Sequence, residues 1–256
     1  MSSIPIVHHR AIKTPDNRAV MSGMEPLLCA PFGKTRKGIK ETTQQGTIFT
    51  EFPSNLLDSN QKHMERPIEK QVFEVDGNKI LLLHNVFTAI ECDNIINHCE
   101  LCGFESLSHI YDENYRNNLR VMVDDNVFTD TWYHRMEQSF HSMRDFWNTS
   151  EFICMNPRLR ICKYNRNGIF APHYDSPVSY DGLQSIYTVM AYLNDVPDGQ
   201  GGATRFLSEI EPGSSPIYVR PQKGSVVVFA HNIAHDGERL LGDEKYIMRS
   251  DIMVKI

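Results

Sequence analysis

The sequence predicts a mainly β fold with flanking helices, an α+β arrangement in which a β-sandwich or barrel is buttressed by helices. Three observations carry this. Helical patterning is confined to residues 88–150, the chain after Pro157 breaks into short strand-like runs, and turn residues separate those runs. No internal repeat is visible. The 256 residues are 41% apolar, enough to bury a sizeable core. The longest pure aliphatic runs, Ile80 to Leu83 and Val226 to Val228, are far too short to span a bilayer, so no membrane association is expected. Six cysteines in this length do not make a disulfide framework. The N-terminus has no basic region followed by an apolar stretch, so the cysteines are expected as reduced thiols in an intracellular protein, cytoplasmic or nuclear.

Residues 1–70 carry 10 basic and 7 acidic side chains and lack sustained periodicity, with six prolines among Gly, Thr, Gln and Asn. They read as a flexible or extended N-terminal arm, and Lys34, Arg36, Lys37 and Lys40 as a solvated run within it. The rest of the chain holds 16 basic and 25 acidic side chains, and this acidic body argues against nucleic acid as a partner. A domain is expected over residues 71–256, with helical support at 88–150 and the β core at 157–256.

Order is expected to begin near Val72 to Val75, followed by the turn signal Asp76-Gly77-Asn78 and an aliphatic strand from Lys79 to Phe87. Thr88 and Glu91 have capping-box spacing; Ile90, Ile95, Ile96 and Cys99 then suit one helix face, and Gly103 is a stop signal. Trp132, Met136, Phe140, Met143 and Trp147 recur at helical spacing and predict a second amphipathic helix. Strands are expected at 158–164, 185–193, 204–207, 217–220, 225–230 and 246–256.

His173-Tyr174-Asp175 is weak evidence alone, because the chain has 11 histidines. His235, 62 residues downstream, changes its weight. Two imidazoles and one carboxylate are the facial-triad ligand set for Fe(II), and on a strand residues i and i+2 point the same way. If 245–251 is a strand, Lys245, Ile247 and Arg249 share a face. Two cations turned into a barrel are costly unless an anion meets them, and an anionic co-substrate would. Tyr192 points with Thr188 and Met190 and could donate to the same anion.

From about Val86 onward the sequence resembles the prolyl 4-hydroxylase-like branch of the 2-oxoglutarate- and Fe(II)-dependent oxygenases. The matching stretches are Ala171-Pro172-His173-Tyr174-Asp175, Tyr192-Leu193-Asn194-Asp195, Gly201-Gly202-Ala203-Thr204-Arg205-Phe206, Pro221-Gln222-Lys223-Gly224-Ser225, His235-Asp236-Gly237 and Lys245-Tyr246. The resemblance implies a double-stranded β-helix (jelly-roll) core. It implies iron on His173, Asp175 and His235, and 2-oxoglutarate bound through its C5 carboxylate by Lys245, with Tyr192 and Tyr164 beside it; Arg249 is the rival for that carboxylate or a holder of a substrate anion. The implied reaction hydroxylates an unactivated C–H bond with O2 and releases succinate and CO2. The implied substrate is a prolyl or other protein side chain, or alternatively a small molecule or free amino acid. A catalytically silent binding module and a cupin-like isomerase are the rival classes.

His231 is read as a wall histidine rather than a ligand. Cys99-Glu100-Leu101-Cys102 is a lone CxxC and is read as buried thiols. The polar stretch Tyr115 to Arg120 is either a substrate or loop-ordering contact or a solvated loop. Arg160 shares strand parity with Tyr164 and either faces the site or makes a surface salt bridge.

Overall fold

The computed structural model describes residues 41–43, 46–57, 66–138, 146, 152–211 and 213–256. In chain order the strands are β1 (Glu41–Thr43), β2 (Gly46–Thr50), β3 (Glu69–Val75), β4 (Asn78–His84), β5 (Glu105–Ser106), β6 (Leu119–Asp124), β7 (Phe152–Met155) and β8 (Arg158–Asn165). They continue with β9 (Phe170–His173), β10 (Ser179–Tyr180), β11 (Leu183–Tyr192), β12 (Thr204–Phe206), β13 (Ile217–Val219), β14 (Val226–Ala230), β15 (His235–Gly237) and β16 (Glu244–Lys255). Helix α1 (Ala89–Cys102) follows β4, and α2 (Asn126–Gln138) follows β6.

Local chemistry sets the first elements. Asp76 and Gly77 both take positive φ, 50° and 75°, which closes the β3–β4 hairpin with the twist its strands need. Thr88 and Glu91 form the expected capping box at the start of α1, and Gly103 closes the helix by donating to the carbonyls of Cys99 and Glu100. Helix α2 starts six residues before Trp132. Asp125 sits just ahead of it and accepts from the Phe128 amide at 2.9 Å, a cap outside the apolar stripe used to predict the helix. Phe140, Met143 and Trp147 of that stripe lie outside the described residues.

The strands form two sheets. The larger runs β1-β2-β6-β8-β16-β11-β14-β4-β3, with β5, β7 and β10 paired off this path; the smaller runs β13-β12-β15-β9. Alternation sorts side chains between two cores. Ile80, Leu82, Tyr164, Met190, Tyr192, Val227, Phe229 and Ile247 meet Phe206 and Val219 of the small sheet. Leu81, Leu83, Ile161, Val189, Ala191, Val226, Val228 and Met248 meet Cys92, Ile95 and Cys99 of α1 and Phe128, Trp132 and Met136 of α2. The large sheet is covered on both faces, which is why β4 and β14 read as unbroken aliphatic runs. This is the jelly-roll core with supporting helices that the sequence implied.

The outer core also holds a charged pair. Arg135 of α2 donates to both Glu91 carboxylate oxygens, at 2.9 and 2.6 Å, while Glu91 Oε2 accepts from the Thr88 amide at 2.9 Å. The helices are tied by the residue that caps one of them. Glu91→Ala would remove the glutamate's half of the capping box and leave Arg135 buried without this partner, and is expected to destabilise the chain by about 3–5 kcal/mol. Urea unfolding would measure it; a change below about 1 kcal/mol would show the pair to be dispensable.

Part of the expected arm is docked. Strand β2 pairs in parallel with β6, and Phe52 and Leu56 are buried in the outer core. Phe52 reaches it because its amide donates to the same Asp125 carboxylate that caps α2, at 2.9 Å. This docking is tertiary and leaves no periodicity in the sequence. Cys92, Cys99, Cys102 and Cys162 are free thiols, whereas Cys154 is disulfide-bonded, a departure from the expectation that all six are reduced. Among the described residues no helix is long and apolar enough to cross a membrane.

Candidate active site

The site lies in the inner core between the sheets. Strand β9 ends at His173 and β15 begins at His235, and antiparallel pairing sets these residues opposite each other with ring centroids 4.3 Å apart. Asp175 lies beyond the end of β9, so the shared-strand geometry expected for it is not how it arrives. Its amide donates to the His231 carbonyl at 3.2 Å, which turns the carboxylate back toward the imidazoles. Nε2 of His173 lies 3.8 Å from Asp175 Oδ1, and Nε2 of His235 lies 3.7 Å from Oδ2. One potential ligand atom from each of the three residues falls within 4.8 Å of the others, and all three residues are buried.

The donor set fits a divalent metal. Nδ1 of His173 is 2.8 Å from the Ala171 carbonyl, and Nδ1 of His235 is 2.9 Å from the Ile233 carbonyl. A carbonyl oxygen only accepts, so each Nδ1 carries its proton and each Nε2 presents a lone pair. Burial pushes both imidazoles below their ordinary range, toward the neutral form a metal needs. Burial alone would raise the Asp175 carboxyl, but the Arg249 guanidinium outweighs it and holds the group well below the usual carboxylate range. Two imidazole lone pairs and a carboxylate converging in an apolar wall repel one another unless a cation sits among them. Phe170 stacks on His173 at 3.6 Å and Phe229 meets His235 edge-on at 4.6 Å, which holds both rings.

Lys245 lies on the inner face of β16, opposite Tyr164 of β8 and two residues from Ile247, which pairs with Tyr192 of β11. Its Nζ donates to the Gly202 carbonyl at 2.5 Å and lies 5.4 and 5.8 Å from the rings of Tyr164 and Tyr192. Gly202 has φ 76°, and a Cβ there would come within 3.0 Å of Leu240 Cδ1. Burial lowers the Lys245 ammonium to about 8. The Tyr192 hydroxyl donates to Thr204 Oγ1 at 2.7 Å, so it reaches another ligand only by giving up that bond.

Arg249 is differently placed. It donates from Nη1 to Asp175 Oδ1 at 2.5 Å and from Nη2 to Asp251 Oδ1 at 3.0 Å, and Thr188 donates to Asp175 Oδ2 at 2.5 Å. Arg160 faces this network, donating to Asp251 Oδ2 at 3.1 Å, and His231 Nε2 lies 3.5 Å from Asp251 Oδ1. Asp251, which the sequence reading did not single out, neutralises this wall. Its i+2 spacing from Arg249 on a predicted strand was the available signal.

The polar stretch Tyr115 to Arg120 is no solvated loop. Arg116 bridges to Phe170, the Ala171 amide donates to the Tyr115 carbonyl at 2.8 Å, and the Ile169 amide donates to Asn117 Oδ1 at 2.8 Å. Leu119 and Arg120 already belong to β6, which pairs with β8. The stretch thus braces the strand that carries His173.

Residues 159–250 match the 2OG-Fe(II) oxygenase superfamily. Among solved structures, the chain is similar to a viral collagen prolyl hydroxylase of Paramecium Bursaria Chlorella virus-1 in complex with 2OG, at 20% identity and TM-score 0.51, covering 68% of this chain and 96% of that one. A prolyl-4-hydroxylase of Pseudomonas putida aligns at 14% identity and TM-score 0.51, over 69% and 93% of the two chains. A prolyl hydroxylase of Trichoplax adhaerens, solved with a hypoxia inducible factor peptide fragment, aligns at 13% identity and TM-score 0.51, over 68% and 82%. No curated protein matches the chain in sequence. At these identities the solved structures establish the shared fold, and the superfamily match falls on the segment that carries the His–Asp–His cluster. The chain thus shares its fold with these hydroxylases, and its segment 159–250 is similar to the 2-oxoglutarate- and Fe(II)-dependent oxygenases.

Proposed function

We propose that His173, Asp175 and His235 hold Fe(II) and that Lys245 binds the C5 carboxylate of 2-oxoglutarate, in an enzyme that hydroxylates an unactivated C–H bond. The observation that carries this is the placement of a buried cation, Lys245, with no carboxylate on it among the described residues, inside the same core as a metal-ready His–Asp–His cluster. Iron bound there would supply the activation of O2; for each C–H oxidised to C–OH, one 2-oxoglutarate becomes succinate and CO2. Arg249 is already engaged by Asp175 and Asp251, whereas Lys245 gives up only a carbonyl, so Lys245 takes the co-substrate. Tyr164 and Tyr192 wall that subsite and exclude water from it. Thr188 and Arg249 each hold one Asp175 oxygen and fix how the carboxylate meets the metal. The substrate is a protein side chain or a small molecule.

The test needs no substrate. The metal-free chain is titrated anaerobically with Fe(II) and then 2-oxoglutarate, and the visible charge-transfer band of a chelated keto acid is followed. The band is expected to appear and saturate. Its absence from folded, iron-loaded protein would reject the oxygenase assignment of these residues in favour of a silent binding module.

A further inference from the structure

We propose that the substrate is a small molecule carrying a carboxylate, and that Arg116 is the residue that binds this group. The proposal rests on the oxygenase reading above and adds the substrate class and its anchor.

Arg116 is held rigidly. Its Nε donates to Asn118 Oδ1 at 2.5 Å, its Nη2 approaches Cys162 Sγ at 3.7 Å, and its guanidinium lies over the rings of Phe170 and Tyr111, 4.3 and 5.3 Å from their centroids. Among the described residues none of its partners is a carboxylate, and Nη1 makes no hydrogen bond. The other arginines facing this wall are neutralised: Arg249 by Asp175 and Asp251, and Arg160 by Asp251. Burial is the main cause that lowers the nearby Arg120 guanidinium to about 10; Cys162 opposes it, and Arg116 and Arg160 add to it. A partly buried guanidinium without a counter-ion is costly, and a planar fork with a free edge matches a carboxylate.

Position sets the size of the ligand. Phe170, over which Arg116 lies, is the ring stacked on His173 at 3.6 Å. The two stacked contacts keep Arg116 Cζ within about 8 Å of the His173 ring. A ligand reaching from Arg116 to a metal on His173 would therefore be short. That is the span of a free amino acid or another short acid. A neutral side chain in the middle of a polypeptide would leave Arg116 unanswered.

The test uses the full chain, loaded anaerobically with Fe(II) and 2-oxoglutarate. Free L-amino acids and short mono- and dicarboxylates are added, each paired with its carboxamide, together with a set of proline-containing peptides. Two readouts are taken: perturbation of the charge-transfer band, and succinate released once O2 is admitted. Carboxylates are expected to perturb the band and accelerate succinate release, and their carboxamides to do so roughly ten- to hundredfold more weakly. Arg116→Gln is expected to erase that preference while the 2-oxoglutarate titration is unchanged; Arg116→Lys restores part of it by keeping the charge without the fork. If Arg116→Gln does not fold, the Lys variant and the wild-type acid–amide comparison decide. A response to peptides alone, equal binding of acids and amides, or no response from any acid overturns the proposal and leaves the oxygenase reading standing. An Arg116→Gln effect confined to 2-oxoglutarate would move Arg116 to the co-substrate and also overturns it. Failure of the band to form in wild type would reject the underlying oxygenase reading.

Discussion

His235→Ala is expected to lose iron binding by at least about a hundredfold and to lose turnover with it. His235 is one of three potential ligands among the described residues, and its Nε2 is oriented by a carbonyl on Nδ1. His231 is four residues away, but it sits against Asp251 rather than beside His173. The same loss is expected for His173→Ala. Both are cleaner probes than Asp175→Ala, which would also strip Arg249 of a buried counter-ion and confound metal loss with unfolding. Equilibrium metal binding together with far-UV circular dichroism checks this. An alanine variant that keeps native spectra and native iron affinity would remove the histidines from the metal site.

Lys245→Ala is expected to retain Fe(II) binding and to weaken 2-oxoglutarate by roughly a hundredfold, about the worth of a charge-assisted contact in a buried site. The wild type carries a pH signature of the same interaction. Burial lowers the free ammonium to about 8, and a carboxylate placed on it raises its pKa again. Binding above pH 8 therefore takes up a proton, and the apparent Kd is expected to rise about tenfold per pH unit above 8, staying flat below it. The Ala variant should lack this slope. For the ligand-free chain the sign is opposite. Between about 8 and the ordinary 10.5 the unfolded state keeps a proton that the folded state has lost, so this lysine's contribution to stability increases with pH there. A 2-oxoglutarate affinity independent of pH from 7 to 9.5, or unchanged in Lys245→Ala, would transfer the carboxylate to Arg249.

The legible parts of the fold were those with local causes. The Asp76-Gly77-Asn78 turn, the Thr88–Glu91 cap and the Gly103 stop each act within four residues and appeared where expected. Strands β8, β11, β12, β13, β14 and β16 were legible because turn residues bracket them. Strand β6 was not, because Leu119 and Arg120 read as the end of a polar stretch and only pairing with β8 makes them a strand. Strands β9 and β15 were missed for a similar reason: they are short, and their pairing with each other defines them. The start of α2 escaped because its cap, Asp125, is shared with Phe52, a residue 73 positions earlier.

By itself the sequence determined the candidate ligand types, the order of the motifs and the alternation that sends Lys245, Ile247 and Arg249 to one face, since these depend on composition, spacing and the two-residue period of a strand. Only the tertiary structure decided what each charge meets. It set Asp175 off its strand and onto Arg249, paired Arg249 again with Asp251, left Lys245 on a carbonyl, and stacked Arg116 over Phe170 without a carboxylate. The physical reason is that the worth of a buried charge is set by neighbours from distant strands, which no local pattern in one sequence specifies.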